Sequence, residues 1–74
     1  MKPQSVKNVC KALQELGFVF VRQRGSHLRF VHQDGRKTTV PSHSGEYIGP
    51  KLLNKIAKDI EIDKDEFERV LSEQ

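Results

Sequence analysis

Arg22, Arg24, His27 and Arg29 fall within one short stretch of the chain, broken only by Gly25-Ser26, and Arg36 and Lys37 follow closely. Imidazole is well suited to giving and taking a proton at neutral pH, because its unperturbed pKa is about 6.5. Guanidinium groups around it would attract a polyanion and stabilise negative charge that develops during a reaction. From Arg22 to Lys37 the only acid is Asp34, whereas from Asp59 onward Asp59, Glu61, Asp63, Asp65, Glu66, Glu68 and Glu73 dominate. The middle of the chain would therefore attract a nucleic acid and its end would repel one. On spacing alone, His27 reads first as a turn histidine after a Gly-Ser break, and charges on an exposed strand are usually just solvated.

Other chemistries find less support. Cys10 is the only cysteine, so no internal disulfide forms, and with His27, His32 and His43 scattered there is no zinc-binding pattern. No metal or cofactor is expected. Ser26 has no accompanying triad that would make it a nucleophile. It and Gly25 suit a turn, the glycine for a positive φ and the serine for a local side-chain bond. His43, in a loop beside two serines, reads as a solvated histidine, His32 as a surface residue near a hairpin, and Cys10 as part of an apolar helical stripe.

The elements that must position these residues are legible from periodicity. The chain of 74 residues allows one domain, 1–74, with a small core. Residues 3 to 16 carry Val6, Val9, Cys10, Leu13 and Leu16 at helical spacing, with Pro3 in the first turn and Gly17 just past the end. Phe18 to Arg24 reads as a strand, and His27 to Gln33 as a second, with Leu28 and Phe30 on one side and His27, Arg29 and Val31 on the other. Asp34-Gly35 signals a two-residue hairpin, and Arg36 to Pro41 a third strand with Thr38 and Val40 sharing a face. Phe18, Phe20 and Phe30 are core by pattern.

Pro41-Ser42-His43-Ser44-Gly45 is a loop by composition. Gly49-Pro50 opens a helix whose apolar face comprises Ile48, Leu52, Leu53, Ile56, Ala57 and Ile60, and Tyr47 is expected to pack at its start. Asp63 caps a short last helix, with Glu66 completing a capping box and Phe67, Val70 and Leu71 turned inward. The order is helix, three antiparallel strands, helix, short helix: an α+β fold whose sheet hides one face under the helices and leaves the other open. No run approaches the roughly 20 apolar residues that span a bilayer, and the N-terminus lacks a signal-peptide core. With a lone thiol, a reducing, cytoplasmic setting is expected, and with no apolar surface left over beyond the core stripes the free chain is expected to be a monomer.

Leu16-Gly17-Phe18, Gly25-Ser26-His27-Leu28-Arg29-Phe30 and Thr39-Val40-Pro41-Ser42-His43 occur in register, followed by Gly49-Pro50-Lys51-Leu52. In that order and spacing the chain resembles, over nearly its whole length, the HicA family of mRNA-interferase toxins. The apolar Val19-Phe20 pair departs from the family pattern. The resemblance implies a fold like a double-stranded-RNA-binding domain, α-β-β-β-α, cleavage of mRNA, catalysis by His27, and a HicB-type antitoxin that covers it. An RNA 2′-hydroxyl supplies the nucleophile, so the protein needs a proton-transfer group and cations. His27 would be the first, and Arg22, Arg24, Ser26, Arg29 and Lys37 would contact RNA. Two other readings compete: a binding module that recognises double-stranded RNA by shape, and a protein-interaction domain using the open sheet face. The binding module calls for a lysine cluster opening the last long helix, where only Lys51 and Lys55 stand.

Overall fold

The structure, a computed structural model, describes residues 1–42 and 47–74. Its first helix, α1 (Val6–Glu15), starts at Ser5, whose hydroxyl accepts a hydrogen bond from the Asn8 backbone N–H at 3.1 Å. That side-chain cap satisfies one of the N–H groups a helix start leaves without a partner. Pro3 therefore precedes the helix and does not sit in its first turn. Gln4 and Ser5 instead form a two-residue strand, β1 (Gln4–Ser5).

Gly17 follows α1 with φ +93°, and the sheet begins at once. Three strands, β2 (Phe18–Arg24), β3 (His27–His32) and β4 (Lys37–Pro41), pair antiparallel in the order β2-β3-β4. After β4 come β5 (Tyr47–Ile48), which pairs antiparallel with β1, then α2 (Pro50–Asp59) and α3 (Lys64–Ser72). This is the expected α+β architecture, an α-β-β-β-α arrangement like a double-stranded-RNA-binding domain with an added C-terminal helix.

Two tight connections set the sheet. Between β2 and β3, Gly25 takes φ +58° while Ser26 keeps a negative φ, the pattern of a type II′ hairpin with glycine first. The connection from β3 to β4 differs from the two-residue turn expected of Asp34-Gly35. The His32 N–H donates to the Arg36 carbonyl at 2.8 Å, the Gly35 N–H donates back to the His32 carbonyl at 2.9 Å, and only Gly35 has a positive φ. A two-residue type I′ turn would need Asp34 there as well, so the chain uses three residues and ends on the glycine. Asp34 has a different task, accepting from the Arg36 backbone N–H at 3.0 Å and from its Nε at 2.9 Å.

The core lies between the helices and one face of the sheet. Val9, Ala12 and Leu13 of α1, Phe18, Phe30 and Val40 of the sheet, Leu53, Ile56 and Ala57 of α2, and Phe67, Val70 and Leu71 of α3 are all buried. α1 and α2 lie on the sheet, and α3 packs against both helices. Asp63 caps α3 by accepting from the Asp65 N–H at 2.8 Å, but no capping box forms, because Glu66 is held by Arg69 one turn on. Thr38 is buried on the helix side and donates its hydroxyl to Asp59 Oδ2 at 3.0 Å, tying β4 to α2.

Phe20, expected in the core, and Tyr47, expected to pack at the start of α2, are 46% and 68% exposed. Phe20 stands on an outer strand with a neighbour on one side only, and meets Phe30 edge to face at 5.8 Å between centroids. Tyr47 lies opposite Ser5 in the small β1–β5 pair. Among the described residues, no helix is long and apolar enough to cross a membrane.

His32 is not a surface residue. Its side chain is only 18% exposed, it meets Phe18 edge to face at 5.1 Å, and its Nδ1 accepts from the Asp34 N–H. It also closes over Gly17, where an added Cβ would stand 2.9 Å from His32 Nε2. Gly17→Ala therefore meets both left-handed backbone strain and a clash. A destabilisation of about 2 kcal/mol is expected, since the backbone term alone costs an L-residue about 1–2 kcal/mol. In a domain of this size that lowers Tm by roughly 10 °C in a calorimetric or circular-dichroism melt.

Candidate active site

Strand alternation puts Phe18, Phe20, Arg22 and Arg24 on one face, which would send both arginines into the helix layer beside the two phenylalanines. The register shows why this does not happen. Phe20 pairs with Phe30 but Arg22 pairs with Arg29, so two steps along β2 match one along β3 and Val21 is the extra residue. This is a β-bulge, and it reverses the phase of everything after it. Arg22 and Arg24 turn to the open face, and Gln23 turns back to lie opposite Leu28.

Cross-strand partners share a face, so the open face can be read in rows. Arg24, His27 and Pro41 form the row nearest the β2–β3 turn, Arg22, Arg29 and Thr39 the next, and Val19, Val31 and Lys37 the third. The first two rows enclose a shallow concavity of about 290 Å³ lined by Arg22, Arg24, His27, Arg29 and Thr39. The His27 ring is exposed there, not packed beneath the helices. Among the described residues, no carboxylate makes a salt bridge with Arg22, Arg24 or Arg29. Their charge faces solvent and any anion that enters.

His27 also borders a second depression, about 190 Å³, on the side toward α2, lined by His27, Thr39, Pro41, Leu52, Lys55 and Ile56. His27 and Thr39 are common to both. Lys55 Nζ lies 3.2 Å from Asp59 Oδ2, the oxygen that also accepts from Thr38.

The remaining candidates separate. Ser26 is in the β2–β3 turn, where its carbonyl accepts from the Ser42 N–H, and Lys37 is two rows from His27; neither lines the concavity. Arg36 is engaged elsewhere: it holds Asp34, donates Nη1 to the Ile60 carbonyl at the end of α2, and lies 5.2 Å over the Phe18 ring. Its neighbourhood, with the Arg36 backbone N–H foremost, holds the Asp34 carboxyl below the usual carboxylate range. Cys10 is half-buried against the core, and burial pushes its thiol up, away from the reactive thiolate. His43 lies outside the described residues. Among the described residues, no three His, Cys, Asp or Glu side chains converge into a possible metal cage.

Two features were not drawn from the sequence. Thr39 had a usable signal, since Thr38 and Val40 facing the core leave it on the same side as Arg29. The bulge at Val21 had none.

The arrangement can draw in a phosphodiester, hold it against three guanidinium groups and present an imidazole to it. No curated protein matches the chain. A family model described as "HicA toxin of bacterial toxin-antitoxin" matches residues 6–62, which runs from the start of α1 past the end of α2 and contains every residue lining both depressions. A match over more than half of the chain shows the family: this protein belongs to the HicA toxins of bacterial toxin–antitoxin systems.

Proposed function

We propose that this toxin is an endoribonuclease that cleaves mRNA in the cytoplasm, with His27 as its proton-transfer group. The observation that carries the reading is the exposed His27 ring sharing one concavity with Arg22, Arg24 and Arg29. The scissile phosphate lies against the arginines. The ribose 2′-oxygen attacks phosphorus as its proton passes to His27, the bond from phosphorus to the 5′-oxygen breaks, and a proton returns to that leaving oxygen. The products are a 2′,3′-cyclic phosphate and a free 5′-hydroxyl. The arginines stabilise the charge gathered on the phosphorane oxygens, and Thr39 adds a neutral donor at the floor. Ser26 and Lys37 serve the flanking backbone.

One imidazole contributes about 10²- to 10⁴-fold, so turnover is modest. Because RNA brings the nucleophile and the arginines bring the positive charge, no metal is required. Free in solution the toxin acts as a monomer. A HicB-type antitoxin neutralises it by covering the open face and His27.

Incubating the purified chain with an unstructured mRNA fragment tests this. Cleavage is expected, with products bearing 5′-hydroxyl ends, at a rate unchanged by EDTA. RNA left intact at saturating protein, or cleavage abolished by the chelator, overturns the mechanism.

A further inference from the structure

The arginine-lined concavity accounts for only one side of His27. On the other, the depression toward α2 is walled by Pro41 and Thr39 from β4 and by Leu52, Lys55 and Ile56 from α2. Its surface is chiefly aliphatic. Leu52 is 41% exposed, although the apolar residues around it on α2, Leu53, Ile56 and Ala57, are buried. Among the described residues, it is the one large apolar side chain left in solvent that borders His27. A half-exposed leucine, a proline and a lysine together line a depression against which a single planar ring can pack.

We infer that this depression is a nucleobase subsite, holding the base of a nucleotide next to the scissile phosphate. The inference rests on the ribonuclease reading for its ligand and adds a contact that selects bases. Continuity argues for that occupant. His27 and Thr39 belong to both depressions, so a strand whose phosphate sits among Arg22, Arg24 and Arg29 meets this surface at the adjacent nucleotide. Single-stranded RNA is read by splaying out bases onto flat side-chain surfaces, and such contacts tolerate any base face while differing in strength. The volume suits one ring: at about 30 Å³ for each water displaced, 190 Å³ corresponds to roughly six waters. Lys55, steadied by Asp59, stands at the rim where its ammonium can meet a polar base edge.

The test separates base from backbone without cleavage. A 2′-fluoro oligonucleotide lacks the nucleophile and stays intact; a second oligomer has the same backbone with abasic sugars. With methyl-labelled protein, the base-bearing oligomer is expected to shift the Leu52 and Ile56 methyl resonances, and the abasic one to leave them in place. Leu52→Ala should weaken binding of the base-bearing oligomer roughly five- to tenfold, the scale of a lost apolar contact, and change the abasic affinity by less than twofold. Leu52→Met, which keeps the apolar surface, should bind as the native chain does. Equal methyl shifts from both oligomers, or an unchanged affinity in Leu52→Ala, overturn the subsite. The two readings fail separately: base-dependent shifts in a protein that cuts no RNA keep the subsite and remove the ribonuclease. Cleavage by a protein whose Leu52 methyls never move does the reverse.

Discussion

His27→Ala is expected to lower the rate of RNA cleavage by about 10²- to 10⁴-fold, the contribution of one positioned acid or base. Expressed without its antitoxin in bacteria, the native chain should arrest growth and degrade bulk mRNA, and the variant should do neither. The ring is exposed and makes no contact on which the core depends. Folding stability should therefore move by no more than about 0.5 kcal/mol, as for other surface substitutions. RNA affinity should fall little, because the phosphate contacts belong to the arginines. Added imidazole should restore part of the activity, since the open concavity admits a small ring at the vacated position. Equal growth arrest by both proteins would remove His27 from the chemistry.

The second large effect comes from the two arginines that the bulge turns outward. Replacing both, Arg22→Ala with Arg24→Ala, removes two of the three guanidinium groups that line the concavity. The measurement is the salt dependence of single-stranded RNA binding, whose slope against log salt changes by about 0.7 for each phosphate contact. The double substitution should reduce the slope by about 1.4, with cleavage falling alongside. Deleting Val21 removes the extra residue and makes Phe20 and Arg22 neighbours, so ordinary alternation keeps Arg22 opposite Arg29 and Arg24 opposite His27 on the open face, and the slope should stay native. Val21→Ala keeps the bulge, because the side chain is exposed, and should leave slope and cleavage as they are. If the double variant binds with the native slope, the two arginines do not hold the RNA backbone.

His27 and the two arginines of β2 show where the sequence could be read and where it could not. His27 was recognisable because a glycine turn, an imidazole and a following arginine stand close together, and alternation along β3 sends His27 and Arg29 to the face opposite Leu28 and Phe30. The helices were recognisable because apolar side chains repeat at helical spacing, and Gly17 because a left-handed residue commonly follows a helix end. Arg22 and Arg24 reach the same face as His27 only through an extra residue that no glycine or proline announces. The energy that places it there is tertiary: Phe18 is held in the core at one end of β2, and the Gly25-Ser26 turn fixes the register at the other. Asp34-Gly35 misled by one residue because Asp34 uses its carboxylate on Arg36 and keeps an ordinary backbone. The β1–β5 pair is too short to have a period, and with it Tyr47 was misplaced.

The outer edge of β2 has a further consequence for the protein in isolation. A straight, apolar outermost strand is a template on which other chains stack through their backbones, and Val19, Phe20 and Val21 have the composition for it. The kink at Val21 breaks the even spacing of donors and acceptors that such stacking copies, and in an antiparallel pairing centred on Gln23 Arg22 and Arg24 would set like charges against each other. The irregularity that turns the arginines outward also works against edge-to-edge stacking of one chain on another while the open face is uncovered.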